Sequence, residues 1–266
     1  MSSANNSIIQ EGSVLVYDGS FPGFLCCVYP ICKLRLTHAR IQKSDQVQGS
    51  LFGTETPVDT DETRAKKVWE GLDQRLGKPA CDQIYRAFLS EQPGVEELLV
   101  RYIKHGLKSR IPIHNDYAQP DVLQVSKLVK KVGREKHRME AFVRFRLTRD
   151  ELYFAQVAPD FDVLPLINRH FTDRYADQRW LIYDEKRAYG IYYNLEHTEA
   201  VSLALPKGLK AHDTPDELFQ PEEQDYQQLW KDYFRSTNIK SRKNDKLHLQ
   251  HVPKRYWRYL TEKLPS

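Results

Sequence analysis

The most constraining feature of this sequence is a change in the spacing of its apolar residues at Glu140. Between residues 61 and 108, and again from Pro120, apolar residues recur every three or four positions, as in amphipathic helices. After Glu140, apolar and polar residues alternate, as in strands with one buried face. A chain with helices first and strands second folds most simply as an α+β protein.

Glycine and proline divide the first half of the chain into elements. Three helices are predicted between residues 61 and 108, separated at Gly77-Lys-Pro79 and at Pro93-Gly94. A fourth helix begins at Pro120, because proline is favoured in the first helical turn. Nearer the N-terminus, Val14-Leu-Val-Tyr-Asp18 and Gly19-Ser20 predict a strand and a turn that lead into a helix near Phe21.

The second half of the chain predicts two hairpins. Residues 140–147 and 151–158 form the first, with a turn at Thr148-Arg-Asp150, and residues 180–184 and 189–193 form the second. Leu164, Ile167 and Phe171 mark a helix between them. We therefore expect an α+β fold with a mainly antiparallel sheet of two hairpins split by a helix, an N-terminal helical part and a C-terminal helical basic segment.

The chain is long enough for one large domain. Its 266 residues are 40% hydrophobic, so we expect a single α+β domain spanning residues 1–266. Polar residues 40–60 predict a flexible loop, and residues 212–223 predict an acidic linker to a basic helical segment at 224–266. No apolar run approaches the roughly 20 residues of a membrane span, and the first residues lack a signal-peptide pattern. We expect a cytoplasmic protein that does not contact membranes.

Positive charge is concentrated in two segments. Residues 127–149 contain nine basic and two acidic residues, and residues 231–266 contain ten basic and three acidic, a net charge of +7 in each. Since the whole chain carries only +4, the remainder is acidic. Two basic segments on an acidic protein predict a surface that binds a polyanion, and we expect them to be neighbours in space. The alternative is that these side chains only solvate helix faces.

Three short segments combine histidine or carboxylate with arginine. Residues 133–145 contain Glu135, His137 and Arg138 where the predicted helix meets the predicted strand. A second histidine–arginine pair lies four residues apart on one helix face, and an aspartate ends the strand 180–184. Arginines could clamp a phosphate beside a proton-transfer group; the alternative is hydrogen-bonded histidines and surface ion pairs. The candidate catalytic residues are His137, Glu135, His170 and Asp184, with Arg138 and Arg174 beside them.

Basic residues alternate with aromatic residues near the C-terminus. This pattern suits phosphate contacts combined with stacking on bases; alternatively, the aromatic side chains dock the last helix on the core. Strand alternation also predicts that Arg144 and Arg146 lie on the exposed face of the first hairpin. The candidate nucleic-acid-binding residues are Arg138, Arg144, Arg146, Arg174, Arg242, Lys243, Asn244, Lys254, Arg255, Tyr256 and Trp257.

No cofactor or metal is predicted. Cys26, Cys27 and Cys32 lack the paired Cys-x-x-Cys spacing of zinc sites, and Cys81 stands alone, so we expect buried thiols. The sequence has no Walker loop, no Gly-x-Gly-x-x-Gly and no nucleophile elbow. We therefore expect no metal site and no nucleotide cofactor.

These pieces, in this order, resemble a bacterial family of DNA metabolism or DNA repair proteins whose molecular function is unknown. The resemblance covers most of the chain. It implies an association with DNA repair, since members tend to be encoded beside a radical-SAM protein thought to modify or repair DNA, and some are fused to a uracil-DNA glycosylase domain. No catalytic or glycosylase residue is carried over. The matching segments are Tyr17-Asp-Gly-Ser-Phe-Pro-Gly-Phe-Leu25 and residues 135–138, 142–145, 170–174, 182–184, 190–193, 229–230, 239–244 and 253–257.

Three functions stay open at this point. The first is a DNA-binding accessory factor that presents damaged or modified DNA to a separate enzyme. The second is a metal-independent enzyme on DNA that uses the candidate catalytic residues for proton transfer. The third is a protein–protein adaptor whose basic segment binds the acidic surface of a partner.

Overall fold

The computed structural model describes residues 9–46, 55–202, 219–220, 223, 226–229, 249 and 251–263, and it has an α+β fold. The chain divides into two compact units, Met1–Val132 and Gly133–Ser266, which we call the N-terminal and C-terminal units. The single-domain expectation stays a prediction, since two compact units can belong to one folding domain. Within the described residues, no helix combines the length and apolarity needed to cross a membrane.

A parallel three-stranded sheet, which the sequence did not predict, belongs to the N-terminal unit. Its central strand has Leu15 opposite Ile41 on one side and opposite Thr56 on the other. A helix connects the first two strands, as a parallel pair requires. In the sheet order β2-β1-β3, the elements are β1 (Val14–Tyr17), α1 (Phe21–Lys33), β2 (Arg40–Lys43) and β3 (Glu55–Pro57).

The turn between β1 and α1 explains the motif at residues 17–25. The Asp18 carboxylate accepts hydrogen bonds from the backbone N–H and the hydroxyl of Ser20, at 2.9 and 2.6 Å. The Ser20 hydroxyl in turn caps α1 by accepting the N–H of Gly23 at 3.0 Å. A Cβ at position 23 would lie 2.3 Å from the Asp18 carboxylate, so this turn requires glycine.

The three predicted helices of the N-terminal unit are confirmed. Their breaks fall at Gly77 and Gly94, which have φ of 81° and 78°, a region that glycine adopts readily. The Phe21 ring lies 5.0 to 5.2 Å from three rings of these helices. The helices are α2 (Glu62–Leu76), α3 (Lys78–Phe88) and α4 (Val95–Lys108), and the three rings belong to Trp69, Tyr85 and Phe88.

A mixed five-stranded sheet forms the centre of the C-terminal unit, in the order β4-β5-β6-β7-β8. β5 and β6 are parallel and joined by α6, whereas the other neighbours are antiparallel. The carboxyl ends of β5 and β6 therefore lie at the same edge of the sheet. The elements are β4 (Arg146–Leu147), β5 (Tyr153–Val157), α6 (Leu164–Arg174), β6 (Trp180–Asp184), β7 (Tyr189–Tyr193) and β8 (Thr198–Ser202).

The predicted change from helix to strand at Glu140 was wrong in position. α5 runs from Pro120 to Phe142, and the first hairpin keeps only two residues, β4, of the predicted strand 140–147. Val132, Glu135 and Met139 are buried and lie three or four positions apart, as on one face of a helix. The chain therefore stays helical past Glu140, although apolar and polar residues alternate from Ala141. Glu135, His137 and Arg138 accordingly lie within a helix and not at a junction.

The predicted loop at residues 40–60 also differs from the structure. Residues 40–60, expected as a loop, contain β2 and β3, because their backbone groups pair with β1. At the C-terminus, where a helical basic segment is predicted, residues 226–229 are α-helical, and residues 254–259 and 261–263 form 3₁₀ helices. Most of the predicted acidic linker lies outside the described residues, but Phe219 is buried and forms an antiparallel bridge with Thr148.

Candidate functional site

Glu135 on α5 is a buried carboxylate surrounded by donors. Its side chain is 1% exposed. One oxygen accepts the backbone N–H of Asp160 at 2.8 Å and the hydroxyl of Tyr256, and the other accepts Arg138 Nη1 at 3.3 Å. Arg255 Nη2 lies 3.9 Å from that second oxygen. Glu135 thus ties together α5, the loop after β5 and the C-terminal 3₁₀ helix, which lie far apart in sequence.

Asp184 is the second buried carboxylate, at the carboxyl end of β6. Its side chain is fully buried and accepts Arg187 Nη1 at 2.7 Å and the backbone N–H of Lys186 at 2.9 Å. Burial raises the pKa of Asp184, and the contacts with Arg187 and the backbone offset part of that rise. Lys186 Nζ and Arg187 Nη1 both donate to the carbonyl of Pro159, at 2.9 and 3.3 Å. These bonds join the ends of β5 and β6.

Exposed cations lie above these buried carboxylates. Arg255 Nη2 lies 2.6 Å and Lys186 Nζ 3.4 Å from the Asp160 carboxylate, and Arg258 Nη2 lies 3.4 Å from Glu185. The side chains of Lys186, Arg255 and Arg258 are 46%, 45% and 44% exposed. We call the group of exposed cations the cationic surface; it consists of Lys186, Arg255 and Arg258, together with Lys254, which is exposed beside Arg255 in the 3₁₀ helix.

A separate group surrounds Glu140 on α5. Its carboxylate accepts Lys136 Nζ at 2.5 Å and lies 3.0 Å from His137 Nδ1 and 4.0 Å from His170 Nδ1. Burial tends to raise the pKa of Glu140, but the hydrogen bond and charge of Lys136, together with the two histidines, lower it overall. The His137 ring is 79% exposed. Two imidazoles thus flank one carboxylate, one of them open to solvent.

The structure therefore places the four candidate catalytic residues in two groups. Glu135 and Asp184 lie beneath the cationic surface and are linked through residues 159–160. His137 and His170 lie at Glu140. The segments 135–144 and 256–262 are in contact, which agrees with the expectation that basic segments are neighbours.

The arginines of the first hairpin do not form an exposed row, so that prediction was wrong. Arg144 donates to the carbonyl of Ala141 at 2.7 Å and pairs with Glu262 at 2.9 Å. The Arg146 guanidinium lies over the Phe219 ring, 3.7 Å from its centroid. With only two residues in β4, strand alternation does not govern these side chains. Arg174 is exposed at the end of α6.

The C-terminal aromatic residues are mainly structural. Tyr256 is 1% exposed, so it cannot stack on a base, and its prediction as a nucleic-acid contact is corrected. Trp257 is half-buried and donates its indole N–H to the carbonyl of Val252 at 3.0 Å. Arg242, Lys243 and Asn244 lie outside the described residues. Lys254 and Arg255 are exposed.

The described residues offer no metal site, and the cysteines are not paired. Among the described residues, no group of three or more His, Cys, Asp or Glu side chains is arranged to hold a metal ion. All four cysteines are free thiols, and Cys26, Cys27 and Cys81 are buried. Burial, followed by the nearby Asp73 charge, raises the pKa of Cys81 to about 11.

Sequence reasoning missed Asp160 and gave Lys186 no role. Asp160 follows β5 and Lys186 follows β6. Their proximity could be predicted only if the two strands were known to be parallel neighbours. The sequence predicted two separate hairpins and left that pairing open. No local sequence pattern predicted the contact between Glu135 and Tyr256, because 121 residues separate them in the chain.

Fold and site together define an α+β protein of two compact units, of which the second has cations arranged over buried carboxylates. The family model for a domain of unknown function, DUF4130, matches residues 93–262, and the chain belongs to that family. No protein of curated function matches the chain. A solved structure of the pGpG-specific phosphodiesterase PggH from Vibrio cholerae is similar at 12% sequence identity and a TM-score of 0.33, covering 69% of this chain and 81% of that chain. At that TM-score the likeness carries no argument about function.

Proposed function

We propose that the C-terminal unit binds DNA through the cationic surface, and that the protein is an accessory factor of DNA metabolism or repair that acts with a separate radical-SAM repair or modification enzyme. One observation carries the DNA-binding part. Cations from two segments about seventy residues apart, 186 and 254–258, lie together at one edge of the sheet, and their side chains are exposed. The resemblance of the sequence to a DNA repair family supports the role in repair.

The carboxylates beneath the cationic surface make the expected binding modest. Glu135 and Asp184 are buried and fixed, so they position Arg255 and Arg187 while reducing the local net charge. A protein that neutralises three or four phosphates releases about that many counterions, which gives a log–log salt slope of roughly −2 to −3 on single strands. We therefore expect micromolar, salt-sensitive affinity with little sequence preference.

Fluorescence anisotropy with labelled single- and double-stranded oligonucleotides tests this proposal on the full chain. The double variant with Lys186→Gln and Arg258→Gln is expected to weaken binding at low salt and to make the salt slope shallower by roughly 1 to 2. Arg169→Gln is the matched control, because Arg169 is an exposed arginine of the same unit, paired with Asp173 on α6. Absence of binding at micromolar protein in low salt would favour the protein–protein adaptor instead.

A second candidate function, an enzyme acting on damaged or modified DNA, is favoured by the group at Glu140. A carboxylate 3.0 Å from His137 Nδ1 orients that ring and leaves Nε2 as the nitrogen able to exchange protons with a ligand. Turnover is sought on a panel of damaged oligonucleotides, with and without the radical-SAM protein. His137→Asn is expected to keep folding and DNA affinity and to abolish turnover, because an amide does not titrate near neutrality. If the wild type turns over no substrate of the panel, the enzyme is excluded for those substrates and the accessory factor is the function that stands.

A further inference from the structure

The carboxylate of Asp160 is held between two cations of the cationic surface. Its Oδ2 lies 2.6 Å from Arg255 Nη2, and its Oδ1 lies 3.4 Å from Lys186 Nζ. Arg255 belongs to the C-terminal 3₁₀ helix and Lys186 to the turn after β6, so the two cations converge on one point from different elements. An arginine and a lysine facing two oxygens of one anion is the arrangement by which proteins bind a phosphate group.

Both cations have anchors that do not involve the Asp160 side chain. The Arg255 guanidinium lies over the Tyr256 ring, 4.6 Å from its centroid, and 3.9 Å from the buried Glu135 carboxylate. Lys186 Nζ also donates to the Pro159 carbonyl at 2.9 Å. The two cations therefore stay in place if the carboxylate moves away, and a phosphate finds them already oriented.

We propose that Arg255 and Lys186 bind one phosphate group of DNA, and that the Asp160 carboxylate takes the place of that phosphate until DNA displaces it. This inference rests on the proposed function and deepens it by assigning one phosphate to two residues. Asp160 opposes binding, because a phosphate has to compete with an anion that is already present. The phosphate comes either from the internal backbone or from a 5′ end, and the two sources are distinguished by experiment.

Asp160→Asn in the full chain tests this inference. The amide keeps the size of the side chain and removes its charge, so both cations become available to phosphate. We expect the dissociation constant for a single-stranded oligonucleotide to fall about tenfold at low salt, and the salt slope to become steeper by up to roughly 0.7, the value for one neutralised phosphate. Asp173→Asn is the matched control, since it removes the same charge from an exposed ion pair of the same unit.

The outcomes separate the inference from the proposed function. If Asp160→Asn binds no more tightly than Asp173→Asn, the inference is overturned while DNA binding stands. If neither the wild type nor any variant binds DNA, the proposed function fails with it. Oligonucleotides with and without a 5′-phosphate identify the source: an equal gain on both assigns a backbone phosphodiester, and a gain only on the phosphorylated strand assigns a terminal phosphate. Asp160→Ser serves for the same comparison if Asp160→Asn does not fold.

Discussion

Tyr256→Phe removes one hydroxyl from the buried network at Glu135 and is expected to destabilise the C-terminal unit by about 1.5–3 kcal/mol, the range for a hydrogen bond to a charged group. The substitution creates no cavity, because the ring stays packed against Phe142 with 5.5 Å between centroids. Glu135 keeps the N–H of Asp160 at 2.8 Å and Arg138 at 3.3 Å, so its charge is not left without donors. The loss is therefore limited to the contacts of one hydroxyl, which are the hydrogen bond to Glu135 and a weaker interaction with Arg255.

Native-state hydrogen exchange on the amides of β6, Trp180–Asp184, measures this loss in the C-terminal unit alone. The expected free-energy change corresponds to exchange roughly 10- to 150-fold faster. Tyr226→Phe is the control, since Tyr226 is an exposed tyrosine of the same unit, and its effect should stay within about 0.5 kcal/mol. Equal exchange rates in Tyr256→Phe and the wild type would refute the energetic role given to this network.

Further predictions concern two glycines, one partly buried carboxylate and one buried thiol. Gly190→Ala should cost about 1–3 kcal/mol by urea unfolding, because its Cβ would lie 2.8 Å from the carbonyl of Ile182; Gly133→Ala, with open space around it, should instead stabilise by about 0.5–1 kcal/mol. The lowered pKa of Glu140 means that its ionised form contributes stability above about pH 4.5, which is lost as pH falls through the native pKa. The difference in stability between wild type and Glu140→Gln should therefore shrink on acidification, and a constant difference from pH 3 to pH 7 would contradict it. Cys81, with a pKa near 11, should react with a thiol reagent at pH 8 far more slowly than in unfolded protein.

Local sequence signals predicted much of the fold. β1, the turn and α1 follow from a β-branched run, Asp18 and the capping Ser20. The helix breaks follow from Gly77 and Gly94, which adopt the positive φ that glycine tolerates. These elements are determined by nearest neighbours, and their own residues are sufficient to identify them. The end of α5 was misplaced because the alternation from Ala141 to Leu147 suits a strand, whereas the helical spacing of buried residues continues to Met139 and the helix ends at Phe142.

The candidate site depends on contacts that no local pattern reveals. Glu135 and Tyr256 are separated by 121 residues, and Arg255 and Lys186 come together at Asp160. That meeting depends on the parallel pairing of β5 with β6, which two hairpins in sequence neither require nor exclude. The basic composition of both segments could be read from the chain, but which cations lie together depends on the pairing of β5 with β6 and on the packing of residues 254–259 against Glu135 and Asp160.

Lysine acetylation footprinting of the full chain, with and without saturating single-stranded DNA, tests the central claim most directly. Mass spectrometry then gives the protection of each lysine. If DNA binds the cationic surface, Lys186 and Lys254 are protected, whereas Lys66 and Lys67, which are exposed on α2 of the N-terminal unit, are not. DNA that binds while Lys186 and Lys254 stay as reactive as in the free protein would contradict the account.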